Sequence, residues 1–232
     1  GRQHQDRVRN PPVSSHPYPV NLDLSGRSVL VVGAGAVAAR KVQGLVAAGA
    51  RVTVVAPEAV SELAEASENG AIRWQQRTYR RGEVASYRLA VAATGDPDVN
   101  GQVHWDAEAA GVWLNAADDP DRCSFTLPAV VRRGDLQIAV STNGRSPAVA
   151  AWLRRSLEES IGPEHAALLA LAAEVREDLR VERGTTETPD WQSALDEDLL
   201  DLIRSDDVDG ARLRLRRALG LPGVPDFEEA AS

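Results

Sequence analysis

The run Gly33-Ala34-Gly35-Ala36-Val37-Ala38 limits what this chain can fold into more than any other feature, because of what flanks it. Before it lies a short apolar β stretch, residues 28–32; after it lies a helically spaced stretch, residues 37–48, that ends before Gly49. A strand that passes at once into a helix needs small residues at the bend. Gly33 permits the tight turn, Gly35 lets the backbone approach a pyrophosphate, and the small Ala38 lets the helix lie close on the strand. N–H groups at a helix start have no partner inside the helix and can face phosphate oxygens. The alternative is a tight turn that binds nothing.

The surrounding sequence separates the two readings. Residues 51–56 form a second β-branched strand, residues 59–69 a helix closed by Gly70, and residues 72–77 a weaker third strand. Residues 89–93 and 112–115 are two further strands that bracket a helix at 98–110. Strands alternating with helices at short spacing imply a parallel sheet covered on both faces, so the expected fold is α/β, a Rossmann-type doubly wound sheet. No Asp or Glu ends the second strand, where an acid usually holds the adenine ribose; Val55 and Ala56 stand there, and Glu58, just past Pro57, is the nearest acid. No arginine cluster replaces it, which favours NAD over NADP.

After Asn115 the period changes. Residues 125–131 and 136–141 read as two strands joined by a turn at Arg132, Arg133, Gly134 and Asp135. Ser146 followed by Pro147 starts a helix, with a hydroxyl at the N-cap and proline at the first position, and the helix should stop at Gly162-Pro163. Residues 164–183 form a long helix, and two more helices, 191–204 and 208–219, follow a linker at 184–189. The opening stretch is polar, with prolines at 11, 12, 17 and 19, and reads as a disordered tail. The expected organisation is therefore a tail at 1–19, a dinucleotide-binding domain at 20–117, a strand-hairpin and helix region at 118–162, and a small helical domain with its tail at 163–232.

Composition excludes several classes of function. A formal charge of −8 lacks the basic footprint that a nucleic acid or an anionic membrane requires. Cys123 is the only cysteine, which rules out an internal disulfide and a cysteine-rich zinc site, and no histidine pair has ligand spacing, so no metal site is expected. No apolar run approaches the roughly 18–20 residues of a membrane span. The first twenty residues lack the apolar core of a signal peptide, and a cytoplasmic protein is expected. Methionine is absent, so the sequence reads as less than a whole translation product.

The fingerprint continues through Arg40 and Lys41 and on to Arg51-Val-Thr-Val-Val-Ala-Pro-Glu58. Three later segments follow in order: Leu89-Ala-Val-Ala-Ala-Thr-Gly-Asp96 with Asn100, then Asn115-Ala-Ala-Asp118, then Ser124-Phe-Thr-Leu-Pro128 leading to Ser141-Thr-Asn-Gly-Arg-Ser-Pro147. Together, from about Tyr18 to Arg183, they strongly resemble the precorrin-2 dehydrogenase and sirohydrochlorin ferrochelatase family, including the amino-terminal module of siroheme synthases. The resemblance implies NAD-dependent oxidation of precorrin-2 to sirohydrochlorin. It leaves open iron insertion, with ferrous iron as a further substrate, and it implies a homodimer built through the region after the sheet. Its catalytic aspartate maps onto Asp118. Its cofactor contacts map onto Gly33, Gly35, Ala36 and Val37, and onto Pro57 and Glu58. The loop of Thr142, Asn143, Gly144, Arg145 and Ser146 resembles the family's substrate-side loop, with Thr142 where a serine is common.

Each candidate also has a plainer role. Asp118 could be a turn residue, since Asp119, Pro120 and Asp121 favour a turn. Asn115 could orient substrate or cofactor, or simply end its strand. Thr94 and Gly95 lie where backbone can approach the cofactor, or form an ordinary strand-to-helix turn. Cys123, with no histidine or lysine beside it in sequence, reads as a buried neutral thiol, and His104 and His165 as surface or packing residues. Arg40 and Lys41 read as a solvated helix face, although a substrate with eight carboxylates needs arginines and helix N-termini on an otherwise acidic protein. A non-catalytic NAD-sensing module is the alternative from another class. It would need the fingerprint but neither an acid at the cleft nor a polyanion site.

Overall fold

The computed structural model describes residues 17–117, 119–184 and 190–222, so the expected tail at 1–19 and linker at 184–189 fall largely outside the described residues. Five parallel strands, β1 (Ser28–Val32), β2 (Arg51–Ala56), β3 (Arg73–Gln76), β4 (Leu89–Ala92) and β5 (Trp113–Ala116), form one sheet in the order β3-β2-β1-β4-β5. That order reverses direction between β1 and β4. In doubly wound sheets the crevice at the carboxyl ends of two such strands is where a ligand sits.

Alternate residues of each inner strand serve opposite faces, as the pleat requires. Val29, Val31, Val52, Val54, Leu89 and Val91 pack with Ala38 and Val42 of α1 (Ala36–Ala47) and Leu63 of α2 (Ser61–Glu68). Leu30, Val32, Ala90, Ala92 and Leu114 pack on the other face with Val103 and Ala107 of α3 (Pro97–Ala110) and with Val84 in a short 3₁₀ turn, Glu83–Ser86. Strands buried on both faces read as continuous apolar runs, which is why β1 and β2 match their expected bounds residue for residue. The remaining elements of the sheet differ from expectation by one or two residues at their ends.

Contacts divide the chain into two units, residues 1–127 with 143–145, and residues 128–142 with 146–232. The second unit holds an antiparallel pair, β6 (Ala129–Arg133) and β7 (Leu136–Val140), joined by the two-residue loop Gly134-Asp135 with Gly134 at φ +56°. The first of these strands starts later than its expected position at 125, because Ser124 and Phe125 lie against β5 instead. Helix α4 (Pro147–Ser160) begins as expected, with Ser146 Oγ accepting the Val149 N–H at 3.2 Å. The long helix α5 (Pro163–Arg183) ends at Gly184 in the left-handed region, a frequent helix stop.

The expected helix at 191–204 is two helices, α6 (Trp191–Ala194) and α7 (Glu197–Arg204). Asp196 breaks it by capping the second: its carboxylate accepts the Leu199 N–H at 2.9 Å, and Glu197 and Asp198 favour the positive end of the helix dipole. Helix α8 (Val208–Ala218) completes the unit, where Leu171, Val175 and Leu179 of α5 pack with Leu199, Ala211 and Leu215. Arg216 is buried there between Asp178 and Glu182 of α5. Among the described residues no helix is long and apolar enough to cross a membrane.

Candidate functional site

Gly33 sits where the β1 turn meets the end of β4. At φ +104° it adopts a backbone that side chains disfavour, and a Cβ there would lie 2.3 Å from the Ala93 carbonyl oxygen. The turn is tied on its other side as well, with Gly33 N–H donating to Val55 O at 2.9 Å and Val60 N–H donating to Ala34 O at 3.0 Å. Gly35 is different. Its backbone is ordinary (φ −83°), it is exposed, and a Cβ on it would meet nothing within 4 Å. It is the N-cap of α1 and offers no side-chain cap, while Ala36 and Val37 at the helix start are exposed. The result is an open helix N-terminus above a braced turn, an arrangement that suits a pyrophosphate.

Beside it, Thr94 is braced by Asn100. The Thr94 hydroxyl donates to Asn100 Oδ1 at 2.8 Å, and Asn100 Nδ2 donates to Thr94 O at 3.0 Å. Gly95 is exposed, and a Cβ there would also meet nothing within 4 Å. Asp96 caps α3 by accepting the Asp98 N–H at 2.9 Å. Pro57 and Glu58 are exposed in the bend after β2, where Glu58 precedes the α2 N-cap, Val60, by two residues. The glycine turn, the Thr94–Gly95 bend and the Pro57–Glu58 bend therefore all lie at the carboxyl end of the sheet.

The edge of β5 carries what the sequence reading missed. Asn115 is buried, and its amide is occupied at both ends: Oδ1 accepts Lys41 Nζ at 2.7 Å, and Nδ2 donates to Phe125 O at 3.1 Å. Lys41 is half-buried on α1 and is not part of a solvated face. The signal available was its standing as the single lysine of the chain. Asp118, two residues past the end of β5, lies outside the described residues.

Cys123 Sγ receives the Ala116 N–H at 3.2 Å and donates to Ala116 O at 3.2 Å, filling the hydrogen-bonding role of a neighbouring strand. Burial pushes the Cys123 thiol up from its usual pKa, outweighing the opposing effects of the Ala116 N–H and the Lys41 charge. It is a neutral thiol at pH 7. Reaction with a disulfide reagent at that pH should accordingly be at least about tenfold slower than for free cysteine; labelling at the free-cysteine rate would contradict this half-buried, hydrogen-bonded placement. Among the described residues no group of three His, Cys, Asp or Glu side chains could hold a metal ion.

The expected substrate-side loop is a closed turn. Thr142 Oγ1 donates to Ser146 O at 3.1 Å and receives the Ser146 N–H at 3.3 Å. Between them Asn143 and Gly144 both adopt left-handed conformations, at φ +53° and +72°, and Arg145 is exposed. The hydroxyl of Thr142 thus closes the loop, and Ser146 caps α4. His104 is buried on α3 with its ring edge-on to Trp105, a packing role.

Two family models match the chain: an NAD(P)-binding family over residues 20–129, and the central segment of sirohaem biosynthesis proteins over residues 133–160. Siroheme synthase 3 of Aeromonas hydrophila is 40% identical over 159 residues, 68% of this chain and 34% of that protein. Siroheme synthase of Methylobacillus flagellatus is 34% identical over 226 residues, 90% of this chain and 48% of that protein. The chain thus spans between about a third and a half of the length of these curated relatives. A solved structure titled SirC, precorrin-2 dehydrogenase, superposes with a TM-score of 0.62 at 28% identity, covering 87% of this chain and 96% of that one.

With the glycine turn, these matches define an NAD(P)-binding protein of the siroheme-biosynthesis type. More narrowly, the chain belongs to the family of precorrin-2 dehydrogenases and the matching modules of siroheme synthases.

Proposed function

We propose that this chain oxidises precorrin-2 to sirohydrochlorin with NAD. The observation that carries the reading is the open, uncapped start of α1 over a turn that only glycine can make at Gly33, in a chain 28% identical to a solved precorrin-2 dehydrogenase over nearly its whole length. When bound, NAD accepts a hydride from the reduced macrocycle. The residues of the chain supply everything else. Over the tight turn made by Gly33, the residues Gly35, Ala36 and Val37 present backbone N–H groups to the pyrophosphate, Pro57 and Glu58 flank the adenosine side, and Thr94 and Gly95 line the strand end beside them. Asp118 takes or orients the proton that leaves with the hydride, so that precorrin-2 and NAD⁺ give sirohydrochlorin, NADH and H⁺. Arg145 and the loop from Thr142 to Ser146 serve the carboxylates of the macrocycle.

Anaerobic incubation of precorrin-2 with NAD tests this directly. Formation of NADH together with the absorbance of sirohydrochlorin is expected. NAD binding without turnover would instead favour a sensing module. Adding ferrous iron in a second arm asks whether sirohydrochlorin is then metallated.

The partner of the chain in this reading is a second copy. In the second unit, Val149 and Trp152 are exposed three residues apart on one face of α4, and the β6–β7 pair buries Leu136, Ile138 and Val140 only partly. A homodimer by light scattering at micromolar concentration is the expected result, and a monomer would count against it.

A further inference from the structure

Of the 26 Lys and Arg residues in the chain, Lys41 alone is lysine. It lies about one and a half turns into α1, the helix that opens at the cofactor turn. Its ammonium reaches Asn115, 74 residues away, through a 2.7 Å bond to Oδ1. That bond fixes which way the Asn115 amide faces, because Oδ1 must accept from Lys41 while Nδ2 donates to Phe125 O at 3.1 Å and leans towards Cys123 Sγ at 3.7 Å. The amide cannot turn over without losing partners at both ends.

What Asn115 holds is the segment that returns along the open edge of β5. Ser124 N–H donates to Leu114 O at 2.8 Å, Leu114 N–H donates to Ser124 Oγ at 3.1 Å, and Cys123 Sγ bridges both backbone groups of Ala116. Among the described residues β5 is the edge strand of the sheet, and backbone pairing at an edge is easily lost. Lysine and arginine are not interchangeable where a compact ammonium meets an amide oxygen.

We propose that Lys41 is a positioning residue for the dehydrogenation: by locking Asn115 it fixes residues 123–125 along β5, and so holds both ends of the loop that leaves the last strand at the cofactor end of the sheet. The proposal rests on the reading of the chain as a dehydrogenase, and its test separates the two. The variants are Lys41→Met, Asn115→Leu and the pair together, in the full chain. Amide exchange at Ala116 and Ser124 should accelerate at least about tenfold in Lys41→Met, with Val31 and Val91 in the sheet centre unchanged.

In the same variant NAD affinity should stay within about twofold, and kcat for precorrin-2 oxidation should fall about 10- to 100-fold with little change in KM. Because Lys41 acts through Asn115, the double variant should be no slower than the slower single variant. Unchanged exchange at Ala116 and Ser124, losses that multiply in the double variant, or full turnover with a loosened edge would each overturn the proposal. Should Lys41→Met fail to fold, Lys41→Ala, which also removes the donor, replaces it with the same expectations. A wild-type chain that does not oxidise precorrin-2 would remove the dehydrogenase reading, and with it the catalytic half of the proposal, while the exchange data would still decide the clamp.

Discussion

Gly35→Asp is expected to abolish NAD binding while leaving the fold intact, and Gly33→Ala is expected to do the reverse, damaging the fold first. The two glycines stand two residues apart in one fingerprint, yet space and backbone separate their roles. A side chain at Gly35 meets no protein atom within 4 Å, and its φ of −83° suits any residue, so the substitution is sterically free in the protein. The carboxylate would enter the space proposed for the pyrophosphate and oppose its charge at the helix start. A loss of at least about 100-fold in NAD affinity, or about 2.7 kcal/mol, is expected. At Gly33 the added methyl would lie 2.3 Å from Ala93 O on a backbone at φ +104°. Backbone strain alone costs about 1–3 kcal/mol, and the clash adds to it. Titration with NAD and urea denaturation of both variants separate the effects. Wild-type affinity in Gly35→Asp would remove the turn from the cofactor site, and an unshifted midpoint in Gly33→Ala would mean that the approach of the two turns is looser than described.

The inner strands were legible because their physics is local. β1 and β2 are covered on both faces, so Val29 to Val32 and Val54 to Ala56 are apolar and buried, and the runs stop at Gly33 and Pro57. The α4 start was equally plain, since Ser146 and Pro147 carry the capping chemistry in adjacent positions. The split at Asp196 was present as a signal and passed over: an aspartate followed by two more acids and then a leucine is a helix start, here inside a run that otherwise keeps helical spacing.

The β5 edge was hidden for a different reason. Lys41 and Asn115 are 74 residues apart, and a lysine on a helix is ordinarily solvated, so no local pattern joins them. The return of Ser124 and Phe125 along β5 is likewise a tertiary choice. Those residues look like the start of the next strand, but β6 begins at Ala129, after Pro128, which has no N–H to give to a ladder. Asp118 was singled out through family resemblance and through its position in the sequence, two residues past the end of β5.

Asp118→Asn is expected to lower precorrin-2 oxidation by about 10² to 10⁴ in kcat, the usual range for loss of a positioned acid or base. Asparagine keeps the size of aspartate and much of its hydrogen-bonding capacity, so what it removes is basicity. NAD affinity should be nearly unchanged, because the residues assigned to the cofactor are at the turn after β1, the bend after β2 and the bend after β4, while Asp118 follows β5. An iron-insertion arm extends the result: parallel loss of metallation would place both reactions on one carboxylate, and loss of dehydrogenation alone would assign them to different groups. Wild-type turnover in Asp118→Asn would reduce Asp118 to a turn residue. The base would then have to be sought among the neighbouring acids of the same loop, Asp119 and Asp121, because the Asn115 amide is already committed to Lys41 and Phe125 and is not basic.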